Sequence, residues 1–163
     1  MIQLRPVEEK DDSFIEEVYG STRQDELNLT NWAEQQKKAF IIMQSMGQLA
    51  EYKKNYPGAE FQIIIYKKQP AGRFYTWENE NEIRVIDITL LPKFRGKGIG
   101  TILLQELIKK SEKAKKKISL HVEPINSALQ LYQRLGFVYI KNNGRHYYME
   151  RNPEVFSKPP KME

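Results

Sequence analysis

Alternating apolar and polar residues through IQLRPV, residues 2–7, predict a first strand, and Phe14, Ile15 and Val18 at helical spacing behind an acidic first turn predict a helix over 8–19. The polar, turn-rich stretch GSTRQDELNLT, 20–30, separates that helix from a long second one running from about Asn31 to Tyr52. Trp32, Ala39, Phe40, Met43, Met46 and Ala50 share one stripe of this helix, and Asn31 followed by Glu34 has the spacing of a capped start. NYPG at 55–58 ends it. EFQIIIYKK and GRFYTW then form a hairpin turning across Gln69 to Ala71, and ENENE leads into a strand over 83–91. That strand, IRVIDITLL, is apolar on both faces, as a central strand of a sheet must be.

A glycine-rich loop follows, and then a helix over about 98–115 with Ile102, Leu103, Leu107 and Ile108 inward. KISLHVE is a strand, 126–135 a short helix, and FVYIKN with RHYYMER a terminal hairpin. The order is strand, two helices, three strands, helix, strand, helix, two strands, which is an α/β or α+β single domain with a mixed sheet. The domain is expected over residues 1–151, with 152–163, carrying Pro153, Pro159 and Pro160, as a tail.

Composition narrows the chemistry. A chain of 163 residues without cysteine offers no disulfide, no thiolate nucleophile and none of the usual structural zinc sites, and no metal centre is expected. Only two histidines exist, His121 and His146, and no serine sits in a G-x-S-x-G turn. The start, MIQLRPVEEKDD, is not a secretory signal, and no run of about 18 apolar residues occurs, so a cytoplasmic protein without a membrane span is expected. Much of the net charge of +5 lies in Lys109, Lys110, Lys113, Lys115, Lys116 and Lys117. These close a predicted helix, where cations complement the dipole, and no aromatic residues interleave them as a nucleic-acid surface would require.

The loop RGKGIGT, 95–101, lies directly after a buried strand and directly before a helix, where free backbone N–H groups and the positive end of the dipole attract an anion. Its spacing is G-x-G-x-G, not the G-x-G-x-x-G of a dinucleotide fold, and it lacks the Lys-Ser or Lys-Thr ending of a nucleotide P-loop. Asp87 stands out independently: a carboxylate in the middle of an apolar strand is costly unless it is functional or paired with Arg73 or Arg84 across neighbouring strands. Glu82 and His121 are the other candidates for a base.

Read as R-x-x-G-x-G, the residues Arg95, Gly98 and Gly100 resemble the pyrophosphate-binding motif of the GNAT superfamily of acyl-CoA-dependent N-acetyltransferases. About 26 residues after Gly100, NSALQLYQRLGF resembles that family's second segment, with Asn126, Tyr132, Gly136 and Phe137 at the family's intervals. The resemblance covers residues 83–150 closely and the first 80 in element order only. It implies a mixed, mostly antiparallel sheet of about seven strands with about four helices, and acetyl-CoA as cosubstrate. It further implies that backbone N–H groups of Lys97, Gly98, Ile99, Gly100 and Thr101 bind pyrophosphate, with Arg95 adding charge and Gly96 shaping the turn. Main chain near Ile88 to Leu90 would lie against the pantetheine and thioester, with Leu90 and Leu91 as backbone candidates, Asn126 would lie beside the cofactor, and Tyr132 would protonate the departing thiolate. Without cysteine, transfer to an amine would be direct, in a ternary complex. The acceptor would be a small molecule or a protein amino terminus or lysine, a homodimer stays open, and a non-catalytic acyl-CoA-binding module is the alternative function.

Overall fold

The structure is a computed structural model that describes residues 1–154, so most of the tail expected at 152–163 lies outside the described residues. Strand β1 is Ile2–Pro6, and a 3-10 turn at Glu9–Asp11 leads into α1, Asp12–Asn28. Helix α2 is Glu34–Asn55, followed by β2 Glu60–Tyr66, β3 Gln69–Glu78 and β4 Glu82–Leu90. A second 3-10 turn at Pro92–Phe94 precedes α3, Ile99–Ala114; then come β5 Lys117–Val122, α4 Ala128–Arg134, β6 Val138–Asn142 and β7 Tyr147–Arg151. The seven strands run β1-β2-β3-β4-β5-β7-β6, with β4 and β5 parallel and β1 to β2, β5 to β7 and β6 to β7 antiparallel. This is the four-helix, seven-strand α/β fold that the sequence order predicts.

The chain forms two compact units. Met1–Tyr75 with Asp87–Lys97 is one; Thr76–Ile86 with the residues from Gly98 onward is the other. In the first unit α1 runs nine residues past its predicted end. Leu27 is buried and anchors the extra turns, while Ser21 and Thr22 donate back to the Val18 and Tyr19 carbonyls instead of breaking the helix. The start of α2 is set by Gln36, whose Oε1 accepts the Ala33 N–H at 2.8 Å; the Asn31 and Glu34 pairing is not used.

The stripe predicted on α2 does not face the core. Met43 and Met46 are 61% and 64% exposed, and Ala39 and Ala50 are exposed too. The inward face instead carries Ile41, Ser45, Gln48, Leu49 and Tyr52, a polar-tipped set whose reason is the buried charge described below. The β2–β3 turn also moves: Lys67 and Lys68 both take left-handed backbone, with φ of 49° and 66°, making a two-residue hairpin loop ahead of the expected Gln69 to Ala71.

In the second unit α3 buries Ile99, Leu103, Leu104, Leu107 and Ile108. Ile102, expected inward, is 47% exposed, because four apolar residues at 103, 104, 107 and 108 already fill one face at helical spacing. Ile83, Val85, Ile118, Leu120, Val122, Tyr132, Phe137 and Met149 are buried with them in this unit.

Candidate active site

The loop after β4 is built by two left-handed glycines. Gly96 and Gly98 have φ of 74° and 80°, a conformation that costs other residues about 1–2 kcal/mol, and Gly98 is the N-cap of α3. The first bond inside α3 runs from the Ile102 N–H to the Gly98 carbonyl at 3.0 Å, so the N–H groups of Ile99, Gly100 and Thr101 have no acceptor within the helix. A Cβ placed on Gly96, Gly98 or Gly100 would meet no protein atom within 4 Å, so an anion has a clear approach to this main chain. The donor set, backbone N–H groups with the exposed Arg95 and Lys97 beside them in sequence, suits a pyrophosphate. In the first unit the Arg95 Nε donates to the Leu90 carbonyl at 3.1 Å, which leaves the rest of the guanidinium outward.

The resemblance points to the backbone of Leu90 and Leu91. The Leu91 N–H donates to the Ala71 carbonyl at 2.9 Å and is thereby committed. Beside it β3 approaches β4 closely: a Cβ on Gly72 would stand 2.1 Å from the Thr89 carbonyl oxygen and 2.9 Å from the Leu90 Cα, so only glycine fits.

Asp87 is paired with Arg73, one of the two partners the sequence named. Oδ2 accepts from Arg73 Nη2 at 2.9 Å and from the Tyr52 hydroxyl at 3.1 Å; Oδ1 accepts from Arg73 Nε at 3.2 Å and from Thr89 Oγ1 at 2.6 Å. Four donors fill the carboxylate. Arg73 Nη2 also donates to Gln48 Oε1 at 2.9 Å, and its guanidinium lies 5.4 Å from the Tyr75 ring centre. The Arg73 and Asp87 side chains are 3% and 10% exposed. Burial raises the Tyr52 phenol well above its ordinary value, with the Asp87 charge adding to it, and burial pushes Tyr75 up to about 12. Both remain neutral hydroxyls at any physiological pH. Sequence reasoning missed Tyr52, Gln48 and Thr89; the available signal was Gln48 and Tyr52, four residues apart and so on one face of α2.

In the second unit Tyr132 is buried on α4 at 6% exposure, its ring 5.7 Å from Phe137 in an edge contact. Asn126 uses its Oδ1 to accept the Ala128 N–H at 2.8 Å, which opens α4. The other base candidates sit on β4 and β5. Ser119 Oγ donates to Glu82 and accepts from Arg84 Nε at 2.7 Å. Arg84 Nη1 lies 3.2 Å from His121 Nδ1, and because arginine only donates, Nδ1 is the acceptor and the neutral ring carries its proton on Nε2. Burial and then the Arg84 charge lower the His121 pKa, so the neutral form dominates. Its one lone pair is thus taken.

The lysine run is partly neutralised, with four of its six members sharing three carboxylates. Lys109 pairs with Glu106, Lys110 and Lys116 with Glu78, and Lys117 with Glu150. A phosphate backbone would have to displace these carboxylates. Among the described residues no group of three or more histidine, aspartate or glutamate side chains is placed to hold a metal, and no helix is long and apolar enough to cross a membrane. A cavity of about 350 Å3 beside Pro6, Leu49, Lys53 and Phe61 contains none of the sequence-predicted site residues.

The profile of the Acetyltransferase (GNAT) family matches residues 7–137. No curated protein matches the sequence significantly. Among solved structures, the PaiA N-acetyltransferase of Thermoplasma acidophilum in complex with coenzyme A is similar in fold, with a TM-score of 0.68 at 20% identity over 93% of this chain and 99% of that one. A GNAT-family acetyltransferase of Staphylococcus aureus Mu50 has a TM-score of 0.65 at 18% identity, covering 94% and 99%. The ribosomal-protein-S18-alanine N-acetyltransferase of Escherichia coli has a TM-score of 0.62 at 20% identity, covering 93% and 94%.

Proposed function

The chain belongs to the GNAT acetyltransferase family, and from that premise we propose that residues 1–151 transfer an acetyl group from acetyl-CoA to a primary amine by direct attack in a ternary complex. The observation that carries this reading is the start of α3, where left-handed Gly96 and Gly98 leave N–H groups without helical acceptors directly after a central strand. The thioester supplies an activated acetyl group; the chain's own residues hold its pyrophosphate and manage protons. Backbone N–H groups from Lys97 to Thr101 are the assigned pyrophosphate donors, with Arg95 as a neighbouring charge. Tyr132 is assigned to protonate the departing thiolate, and the absence of cysteine favours direct transfer over an acyl-enzyme.

We assign Asp87 to holding Arg73 and Tyr52 rather than to deprotonation, because every lone pair of its carboxylate already accepts a hydrogen bond. His121 is equally committed through Nδ1. The amine then loses its proton to solvent. The acceptor is a small amine or a protein amino terminus or lysine, met in the cytoplasm. With Asp87 and His121 both committed, the alternative, an acyl-CoA-binding module without turnover, is also supported.

Thermal denaturation with acetyl-CoA, CoA, NAD and ATP tests the first step. A ligand at 100 times its Kd adds about 2.7 kcal/mol, or roughly 5–10 °C for a domain of this size. Stabilisation by the two CoA species alone supports the loop assignment, and thiol release from acetyl-CoA across a panel of amines then separates an enzyme from a binding module. No shift with CoA would remove both.

A further inference from the structure

We propose that the exposed face of α2 is the seam of a homodimer, in which two α2 helices pack antiparallel about a two-fold axis passing between Gln44 and Ser45. The starting observation is the stripe that the core does not use. Ala39, Met43, Met46 and Ala50 recur at intervals of four, three and four residues, the heptad spacing of a helix seam, and at 3.6 residues per turn they fall within an arc of roughly 60°. Both methionines are more than half exposed, whereas α3 buries Ile99, Leu103, Leu104, Leu107 and Ile108 and leaves out Ile102 alone of its large apolar side chains. Trp32, 40% exposed, stacks edge-on against Phe40 at 5.4 Å and extends the apolar surface at the start of the helix.

The pattern itself names the occupant. Read outward from the midpoint between Gln44 and Ser45, the apolar stripe is the same in both directions, Met43 and Met46, then Ala39 and Ala50, and beyond it Gln35 and Gln36 at one end stand opposite Lys53 and Lys54 at the other. An isologous interface requires such self-complementarity, because residue i meets j while j meets i. Met43 lies on the partner's Met46 and Ala39 on the partner's Ala50, and the neutral end of the helix at Gln35 and Gln36 lies against the partner's basic end at Lys53 and Lys54. Small residues opposite small residues let the two backbones approach at both ends of the central methionine cluster. A foreign polypeptide would give this stripe no reason to mirror itself.

Gly47 is the second observation. It sits within a 22-residue helix, where glycine is the poorest former after proline, yet a Cβ there would meet nothing within 4 Å and its φ is not positive. Nothing inside the chain calls for glycine. On the flank of the proposed seam Phe40 and Gly47 share a side, and antiparallel packing brings the partner's Phe40 ring over Gly47, where a side chain would block it.

The inference does not depend on the acetyltransferase reading, and its test needs no activity. Light scattering on the full chain at about 100 µM should give twice 19.2 kDa. Met43→Glu with Met46→Glu places four carboxylates in the seam and should raise the dimer Kd at least a hundredfold while far-UV circular dichroism is unchanged. Gly47→Leu should leave the dilute chain as stable or more so and weaken the dimer at least tenfold. Because the chain has no cysteine, disulfides report the register: chains with Met43→Cys mixed with chains with Met46→Cys should cross-link under mild oxidation. Either alone should cross-link more slowly, since like positions are offset by three residues, about 4.5 Å along the axis, which moves the Cα separation toward the long end of disulfide reach. A mass of 19.2 kDa at 100 µM overturns the proposal. So does a dimer indifferent to the two glutamates, faster cross-linking between like positions than in the mixed pair, or binding of an acceptor polypeptide to a monomer through this same face.

Discussion

Replacing Asp87 with asparagine keeps the shape of the side chain and removes the charge that holds Arg73. The guanidinium is 3% exposed and would be left with Gln48 and a neutral amide as partners. Breaking a buried ion pair from one side is destabilising by about 3–5 kcal/mol, because the remaining charge has already lost its water. Against a total stability of about 5–15 kcal/mol this is a large share. At about 2–4 °C per kcal/mol for a chain of this length, the melting midpoint should fall by roughly 6–20 °C. Urea denaturation should show the same loss, with Tyr52 losing its acceptor in the same variant. A double variant, Arg73→Met with Asp87→Leu, removes both charges and should recover part of the loss, giving a coupling of about 1–3 kcal/mol in the four-corner cycle. The acetyl-transfer rate per folded molecule should change little. A midpoint within about 2 °C of the parent, together with turnover lost mainly at low pH, would refute the reasoning and return Asp87 to the role of base.

Tyr132→Phe should lower kcat with little change in CoA affinity, measured by turnover and by thermal shift; an unaltered rate removes Tyr132 from the proton path. Gly98→Ala meets no protein atom but must hold a φ near 80°, so it should lose about 1–2 kcal/mol and, more tellingly, the stabilisation by CoA. Replacing Lys67 and Lys68 by Asn-Gly should raise stability by about 1 kcal/mol, since both positions are left-handed; a lower midpoint would mean the turn is not of this type. Hydrogen bonds from Arg5 hold the Asp11 carboxyl at about 2, below its ordinary 3.8. A depressed carboxyl stabilises the fold above its unfolded value and loses that as pH falls through the folded one, so stability should drop between about pH 4 and 2, and Arg5→Met should flatten that drop in an acid titration.

Local features of the chain were enough for the element order, the central placement of β4 and the glycine loop ahead of α3. Each depends on residues near one another: a short run apolar on both faces marks β4, and left-handed backbone at Gly96 and Gly98 is available chiefly to glycine. The family motif is legible for the same reason, being two short segments with fixed internal spacing. Tertiary structure decided what depends on distant partners. Asp87 reads from sequence as base or ion pair; its fate was set by Arg73, 14 residues earlier, and by Tyr52, 35 earlier, which converge only when α2 lies on the first unit's strands. That same convergence turned α2. A buried charged pair needs polar neighbours, so Gln48 and Tyr52 face inward and the more apolar stripe of Met43 and Met46 faces out. Hydrophobic periodicity identifies a helix because periodicity is a property of one segment, whereas the face a helix buries depends on the surface it meets.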